Sequence, residues 1–340
     1  MRVYFTVDTE CSMGGAWSHP GRRPIGASRR IFCRIGEEDF GIPLLTRMMT
    51  TFGFRATYFV ETLATRCLGE SDTRPVFEFL LRQQQDVQLH IHPVFRQYAD
   101  FQKAQDECVE YRGPQPMDLI GHMGANVQME LLEESIEHFE TFAGYRPAAF
   151  RAGCFAGSLS TMKCLHRLGI LVDSSFNPCY HPAVSFPERP LEPNLVQNIE
   201  GVWEIPVTVA RTRLSQAYNG YKFADCTSLS FPEIRSMLEA SVRAGQEHFV
   251  IVFHSFSAVK TKDETYAQIR PNRIVIRRLK RLFQYLAGHG GHYQVETMGN
   301  IAQCPEALHS VSSARAIANL GFVNAAKRQA VQWVNNAYWL

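Results

Sequence analysis

The sequence predicts an α/β fold around a parallel sheet, open or closed into a barrel, and three observations carry that expectation. Apolar runs rich in β-branched and aromatic residues alternate with stretches of helical periodicity, so residues 3–92 read as strand, helix, strand, helix, strand. Ionisable residues recur where the runs end, at Asp8 and Glu10, His90 and His92, Asp173 and His254. Groups delivered from the ends of several strands are how a barrel builds an active site. The 340 residues, 45% of them apolar, suffice for one large domain, expected over residues 1–300, with a helical extension over 301–340.

Residues 3–10, Val-Tyr-Phe-Thr-Val-Asp-Thr-Glu, form a buried strand with a charged tip. Side chains alternate faces along a strand, so Asp8 and Glu10 project together and Thr9 turns away. Residues 11–37 include Gly14, Gly15, Pro20, Gly21 and Pro24, which is loop chemistry, and a long loop after a strand tip usually carries function. Phe40, Leu44, Leu45, Met48 and Met49 mark a helix over 38–52, before an apolar strand at 56–60. A helix near 74–84 leads to a strand at 86–92. There the two-residue period brings His90 and His92 to one face before Pro93 stops the strand.

Residues 94–125, with Gly113, Pro114 and Pro116, read as an irregular excursion. In the helix 127–142 that follows, Met129, Leu132, Ile136 and Phe139 form a core stripe and not a cofactor box. A short strand at 147–153 ends in Arg151 and Gly153, and an arginine there can hold a carboxylate bidentately. Helix 158–168 passes into strand 170–173, which ends in Asp173. The proline-rich residues 175–200 make a second long loop, and 202–209 alternate as a strand containing Glu204 and Pro206. Helix 231–244 has Pro232 in its first turn and Gly245 as its stop, and strand 249–254 ends in His254. Helix 272–287 buries Val275, Leu279, Leu282 and Leu286 and leaves Arg273, Arg277, Arg278, Lys280 and Arg281 for a solvated or phosphate-binding face. After a last strand at 292–297 the tail is helical in composition and ends with Trp333, Tyr338, Trp339 and Leu340. Aromatics concentrated there suit peripheral contact with a membrane, or a homo-oligomer interface, as well as packing back on the barrel.

A net charge of +2 gives no reason to expect nucleic acid as a partner. The nine cysteines include no CxxC pair and read as reduced core residues, and no run of eighteen apolar residues occurs. With the first strand beginning at residue 2, the expected location is the cytoplasm.

Neutral imidazole with carboxylate is a donor set that zinc and similar ions accept in open catalytic sites. On the residues alone, Glu10, His90 and His92 are the clustered candidates. Taken together, Phe5-Thr-Val-Asp-Thr-Glu10, Asp86-Val-Gln-Leu-His-Ile-His-Pro93, Phe150-Arg-Ala-Gly153, Asp173 and Ile251-Val-Phe-His254 resemble, in order and spacing, the motifs of the polysaccharide deacetylase family. The resemblance spans roughly residues 1–300. It implies a distorted seven-stranded (β/α) barrel with long loops over the strand ends, and a metal-dependent hydrolase that removes acyl groups from sugars. It implies Asp8 as general base, Arg151 as the residue orienting it, His254 as general acid and Asp173 as the partner of His254. The metal would be divalent, zinc by default, with cobalt, nickel or iron(II) as alternatives.

Two departures from the family's motifs stand out. Where the family has two adjacent aspartates, Thr9 follows Asp8 and the second carboxylate is Glu10, which looks like an Asp-x-Glu variant. The family's metal histidines are four apart, which pairs His90 with Val94, and valine binds no metal. Either His92 takes that role or the site lacks a ligand. The expected substrate is a sugar or glycan, nucleotide- or lipid-linked, of surface-polysaccharide assembly, carrying an acetyl or formyl group on nitrogen. The rival readings are a carbohydrate-binding relative without metal and an amidohydrolase acting on a non-sugar amide.

Overall fold

The computed structural model describes residues 1–19, 21–212, 220–308 and 313–337. Its axis is strand β1, Arg2–Thr9, in which every residue after Arg2 is buried, because both faces of the strand are covered. Odd and even positions go to different places. Val3, Phe5 and Val7 pack outward with the helices, Phe5 edge-on to Phe283 at 5.0 Å between centroids. Tyr4 points inward, into a second cluster with Phe59, Val250 and Val252. The inward face of β1 therefore runs Tyr4, Thr6, Asp8, and the same alternation continues to Glu10.

The remaining sheet strands are β2 (Thr57–Glu61), β3 (Asp86–Ile91), β4 (Ala149–Ala152), β5 (Val172–Asp173), β6 (Gln197–Ile199), β7 (Val202–Glu204), β8 (His248–His254) and β9 (Gln294–Glu296). Their order is β8-β1-β2-β3-β4-β5-β7-β6, with β9 also on β1, and seven consecutive members, β8 to β7, run parallel. The sheet curls into a barrel whose seam is irregular. Pro206 ends β7, because a proline cannot donate to a ladder. The gap to β8 is crossed by Thr208, whose N–H donates to the Val250 carbonyl at 3.3 Å while its Oγ1 accepts from the Val250 N–H at 2.9 Å.

Crossover helices cover the outside: α1 (Ile42–Thr50), α2 (Glu70–Arg82), α3 (Val94–Asp106), α4 (Ala125–Ala143), α5 (Leu159–Arg167), α6 (Phe231–Arg243) and α7 (Arg273–Ala287), followed by α8 (Phe322–Ala337). Their starts follow local rules. Ser158 opens α5 through a reciprocal capping box with Thr161, and Ser230 opens α6 through one with Glu233. The expected irregular stretch 94–125 is corrected at its start, where α3 occupies 94–106. Pro93, read as a stop, sits at the N-cap, where a missing N–H costs nothing, and so begins the helix as it ends the strand. The expected domain boundary at 300 falls inside a short helix, Met298–Gln303, and the tail beyond it returns to the barrel: Asn194 Nδ2 donates to the Ala316 carbonyl at 2.7 Å, and Leu320 N–H to that of Arg211 at 2.9 Å. Tyr338, Trp339 and Leu340, expected at an interface, lie outside the described residues.

Candidate active site and metal centre

The inward faces of β1, β3, β4 and β8 bring Asp8, Glu10, His90, His92, Arg151 and His254 to one end of the barrel. All but Arg151 line a cavity of about 430 Å³, together with Leu119, Cys154, Phe155, Tyr180, Val184 and Phe223. Asp8 and His254 are direct neighbours in the β1/β8 register, and His90 stands beside Arg151 in that of β3/β4. Parallel strands in register carry matched positions to the same height, so residues far apart in sequence converge without any irregular backbone.

Glu10 is the centre of the donor cluster. Its Oε2 lies 2.7 Å from His92 Nε2 and 3.3 Å from His90 Nε2. The far side of each imidazole is occupied: His90 Nδ1 lies 2.7 Å from the Arg151 carbonyl oxygen, and His92 Nδ1 lies 2.6 Å from Asp118 Oδ2. A carbonyl can only accept, so His90 carries its proton on Nδ1 when neutral and presents the Nε2 lone pair to Glu10. A lone pair facing a carboxylate oxygen requires a cation or an extra proton between them. One ligand atom from each of Glu10, His90 and His92 lies within 4.8 Å of the others. Two imidazoles backed by a carbonyl and a carboxylate, converging on a third oxygen donor, fit a divalent ion with a place left for water.

The same contacts set the electrostatics of the cluster. Burial alone would raise the Glu10 carboxyl, but the charge of His92 and the close contacts with both imidazoles outweigh it and hold Glu10 well below the usual carboxylate range. Burial alone would depress the His92 ring, yet Asp118 and Glu10 on its two sides hold it well above the ordinary imidazole value. The other oxygen of Glu10 accepts from Arg30 at 3.2 Å, and that guanidinium lies over the Phe256 ring and bonds to the Tyr266 hydroxyl. Nearby, Glu61, opposite His90 in the β2/β3 register, accepts from the Leu63 and Ala64 N–H groups, and burial pushes its carboxyl up to about 8.

Arg151 is fully buried beneath the cavity and holds Asp8. Its NH1 reaches Asp8 Oδ1 and Thr6 Oγ1, each at 2.8 Å, while Nε and NH2 donate to the carbonyl and hydroxyl of Ser174 at 2.9 Å. Phe59 stacks under the guanidinium at 4.5 Å. Every branch of the fork is committed, so Asp8 has one oxygen fixed and one facing the cavity. The His254 ring packs against Phe256 at 5.0 Å and has no hydrogen-bond partner among the described residues.

Asp173 is not brought to this cluster. In register it stands beside Phe150 and Glu204, on the outer face of the sheet, whereas Arg151 shares the inner face with Ala149. Its carboxylate accepts from the Ser175 hydroxyl at 2.7 Å and from Glu204, so it is no partner of His254. Ser174, one position on, takes the inward place. Val94 faces the core as the first residue of α3, and its N–H donates to Asp118 Oδ1 at 3.3 Å; His92 is the second imidazole on Glu10. Asp118 and Arg30 were not found from sequence, because both come from stretches with no periodicity that could aim them at the strand tips.

No family model and no curated protein sequence matches the chain. Solved structures do match in fold. A Mycobacterium smegmatis chain described as a polysaccharide deacetylase is 17% identical with a TM-score of 0.53, over 93% of each chain. A Parabacteroides distasonis chain described as a glycoside hydrolase/deacetylase is 11% identical with a TM-score of 0.57, over 92% of this chain and 72% of that one. Puue allantoinase is 13% identical with a TM-score of 0.50, over 92% of both chains. With its curled parallel sheet and covering helices, this chain has the (β/α) barrel fold of the polysaccharide deacetylases.

Proposed function

We propose that the chain is a hydrolase that removes an acetyl or formyl group from the nitrogen of a sugar, at a divalent ion held by Glu10, His90 and His92. The observation that carries the reading is the convergence of those three donor atoms on the floor of a cavity walled by Asp8 and His254. A divalent ion bound there would polarise an acyl oxygen and acidify a water. The chain's own groups complete the chemistry. Asp8, ion-paired with Arg151 and oriented by it, is placed to accept the proton of the attacking water on its other oxygen. His254, the neighbour of Asp8 across the β1/β8 pair, is placed to give a proton to the departing amine.

Phe155, Tyr180 and Phe223 form one wall, with Phe155 stacked on Tyr180 at 5.7 Å and 6.0 Å from Phe223. Aromatic faces of this kind suit the apolar C–H faces of a sugar ring. A surface-polysaccharide precursor, nucleotide- or lipid-linked, is the substrate class we favour. The test incubates metal-reconstituted protein with N-acetylated and N-formylated sugars and measures acetate, formate and free amine. Release that chelator abolishes and metal restores supports the reading; a purified protein that takes up no divalent ion overturns it. The fold likeness to Puue allantoinase supports a second reading, hydrolysis of a non-sugar amide. Ring opening of a cyclic amide without any sugar deacylation would select it.

A further inference from the structure

Helix α8 is turned inside out. Its inward side is polar: Arg328 Nε donates to both oxygens of Glu233 at 3.1 and 3.2 Å, Gln332 to the Thr227 carbonyl at 2.9 Å, and Asn335 accepts from Lys260 Nζ at 3.0 Å. Its outward side is apolar. Phe322 and Trp333 are 68% and 69% exposed, Val323 is 62% exposed, and Val334 joins them. At 3.6 residues per turn these four fall within an arc of about 120°, and Ala326, Ala330 and Ala337 fill the spaces between. A helix that anchors itself through polar side chains and offers its apolar face to solvent is built to bury that face elsewhere.

The charge beside this face selects what covers it. Neither α7 nor α8 contains an Asp or Glu. Of their cations, Arg278 is used internally, donating to the Cys226 and Thr227 carbonyls at 3.0 and 3.1 Å, as Arg328 is by Glu233. Arg273, Arg277, Lys280, Arg281 and Lys327 are exposed, and none has a carboxylate partner among the described residues. Arg277, Arg281 and Lys327 line the cleft between the two helices with Ile274 and Val331. A second copy docked through this face would bring two rows of unpaired cations together. An anionic bilayer instead neutralises them and accepts the aromatics at headgroup level.

We infer that the outward face of α8, flanked by Arg277, Arg281 and Lys327, seats this protein on an anionic membrane surface. Among the described residues no helix is long and apolar enough to cross a membrane, so α8 lies along the interface. The test is co-sedimentation of the full chain with vesicles of phosphatidylglycerol and phosphatidylcholine in equal parts, against phosphatidylcholine alone. Binding is expected only to the anionic vesicles, and is expected to weaken as salt is raised. The pair F322S/W333S should bind roughly tenfold less. The triple variant R277Q/R281Q/K327Q should lose about fivefold per cation. Circular dichroism confirms the fold of each, and V323S/V334S, expected to weaken binding in the same direction, stands in if a variant fails to fold. Absence of binding by the native chain, or equal binding by folded variants, overturns the inference. So does a native dimer that F322S/W333S converts to monomer. The readout is binding and not turnover, so failure here leaves the hydrolase reading standing.

Discussion

Two pairs of acidic side chains at neighbouring strand ends illustrate opposite uses of burial. On the inner face, Asp8 and Glu10 are each supplied with cationic or proton-donating partners: Arg151 for one, the two imidazoles and Arg30 for the other. On the outer face, Asp173 and Glu204 are also buried but face each other. Burial raises the Asp173 carboxyl, and burial together with the neighbouring Asp173 pushes that of Glu204 well above the carboxylate range. Glu204 therefore keeps its proton and donates it to Asp173, while its own Oε1 accepts from the Phe176 N–H at 3.0 Å. One pair is matched with cationic partners and can serve chemistry; the other shares a proton and ties a loop to the sheet. Partner identity, not residue type or depth, makes the difference.

The largest expected effect breaks the pair that has cationic partners. Asp8→Asn retains the Arg151 hydrogen bond through its amide oxygen and keeps the fold and the metal, but removes the base. Turnover should fall at least about 100-fold, about 2.7 kcal/mol of barrier. Loss of the metal instead, measured by elemental analysis, would make Asp8 a ligand, and unchanged deacylation would end its role as base.

Asp118→Asn tests the support behind the centre, since it weakens the carboxylate that orients His92. Removing such a partner typically costs about 10–100-fold in metal affinity. Competition titration against a chelator reads this directly, and an unchanged affinity would show that His92 is oriented without it.

Val94→His restores the four-residue histidine spacing and so asks whether spacing or geometry defines the site. Position 94 starts α3 with its side chain in the core, so the new imidazole adds no ligand and costs about 1–3 kcal/mol of stability as a buried polar group without a partner. A gain in metal affinity would contradict that placement.

The smallest effect concerns the proton-sharing pair. Because the folded-state affinity of Glu204 for its proton exceeds that in the unfolded chain, the pair's contribution is fully present below about pH 4.5 and fades as pH rises through the folded value. In Glu204→Gln the amide donates to Asp173 at every pH. Thermal melts of the two proteins should therefore diverge in favour of the variant as pH rises from 4 towards neutrality, and a constant difference would refute the shared proton.

The sequence by itself determined the scaffold of this site. The strand period of two placed Asp8 with Glu10 and His90 with His92, because alternation is a local property of extended backbone and needs no knowledge of neighbours. It also located the arginine and histidine that end near them. Tertiary structure alone decided three things. It put Asp173 on the outer face, since a two-residue strand carries too little pattern to reveal which way it points and only its register with β4 and β7 settles the matter. It supplied Asp118 and Arg30 from loop chemistry that has no period to read. And it turned the apolar face of α8 to solvent: a helical pattern shows that one side is apolar, whereas the polar contacts to Glu233, Thr227 and Lys260 determine which side the fold buries.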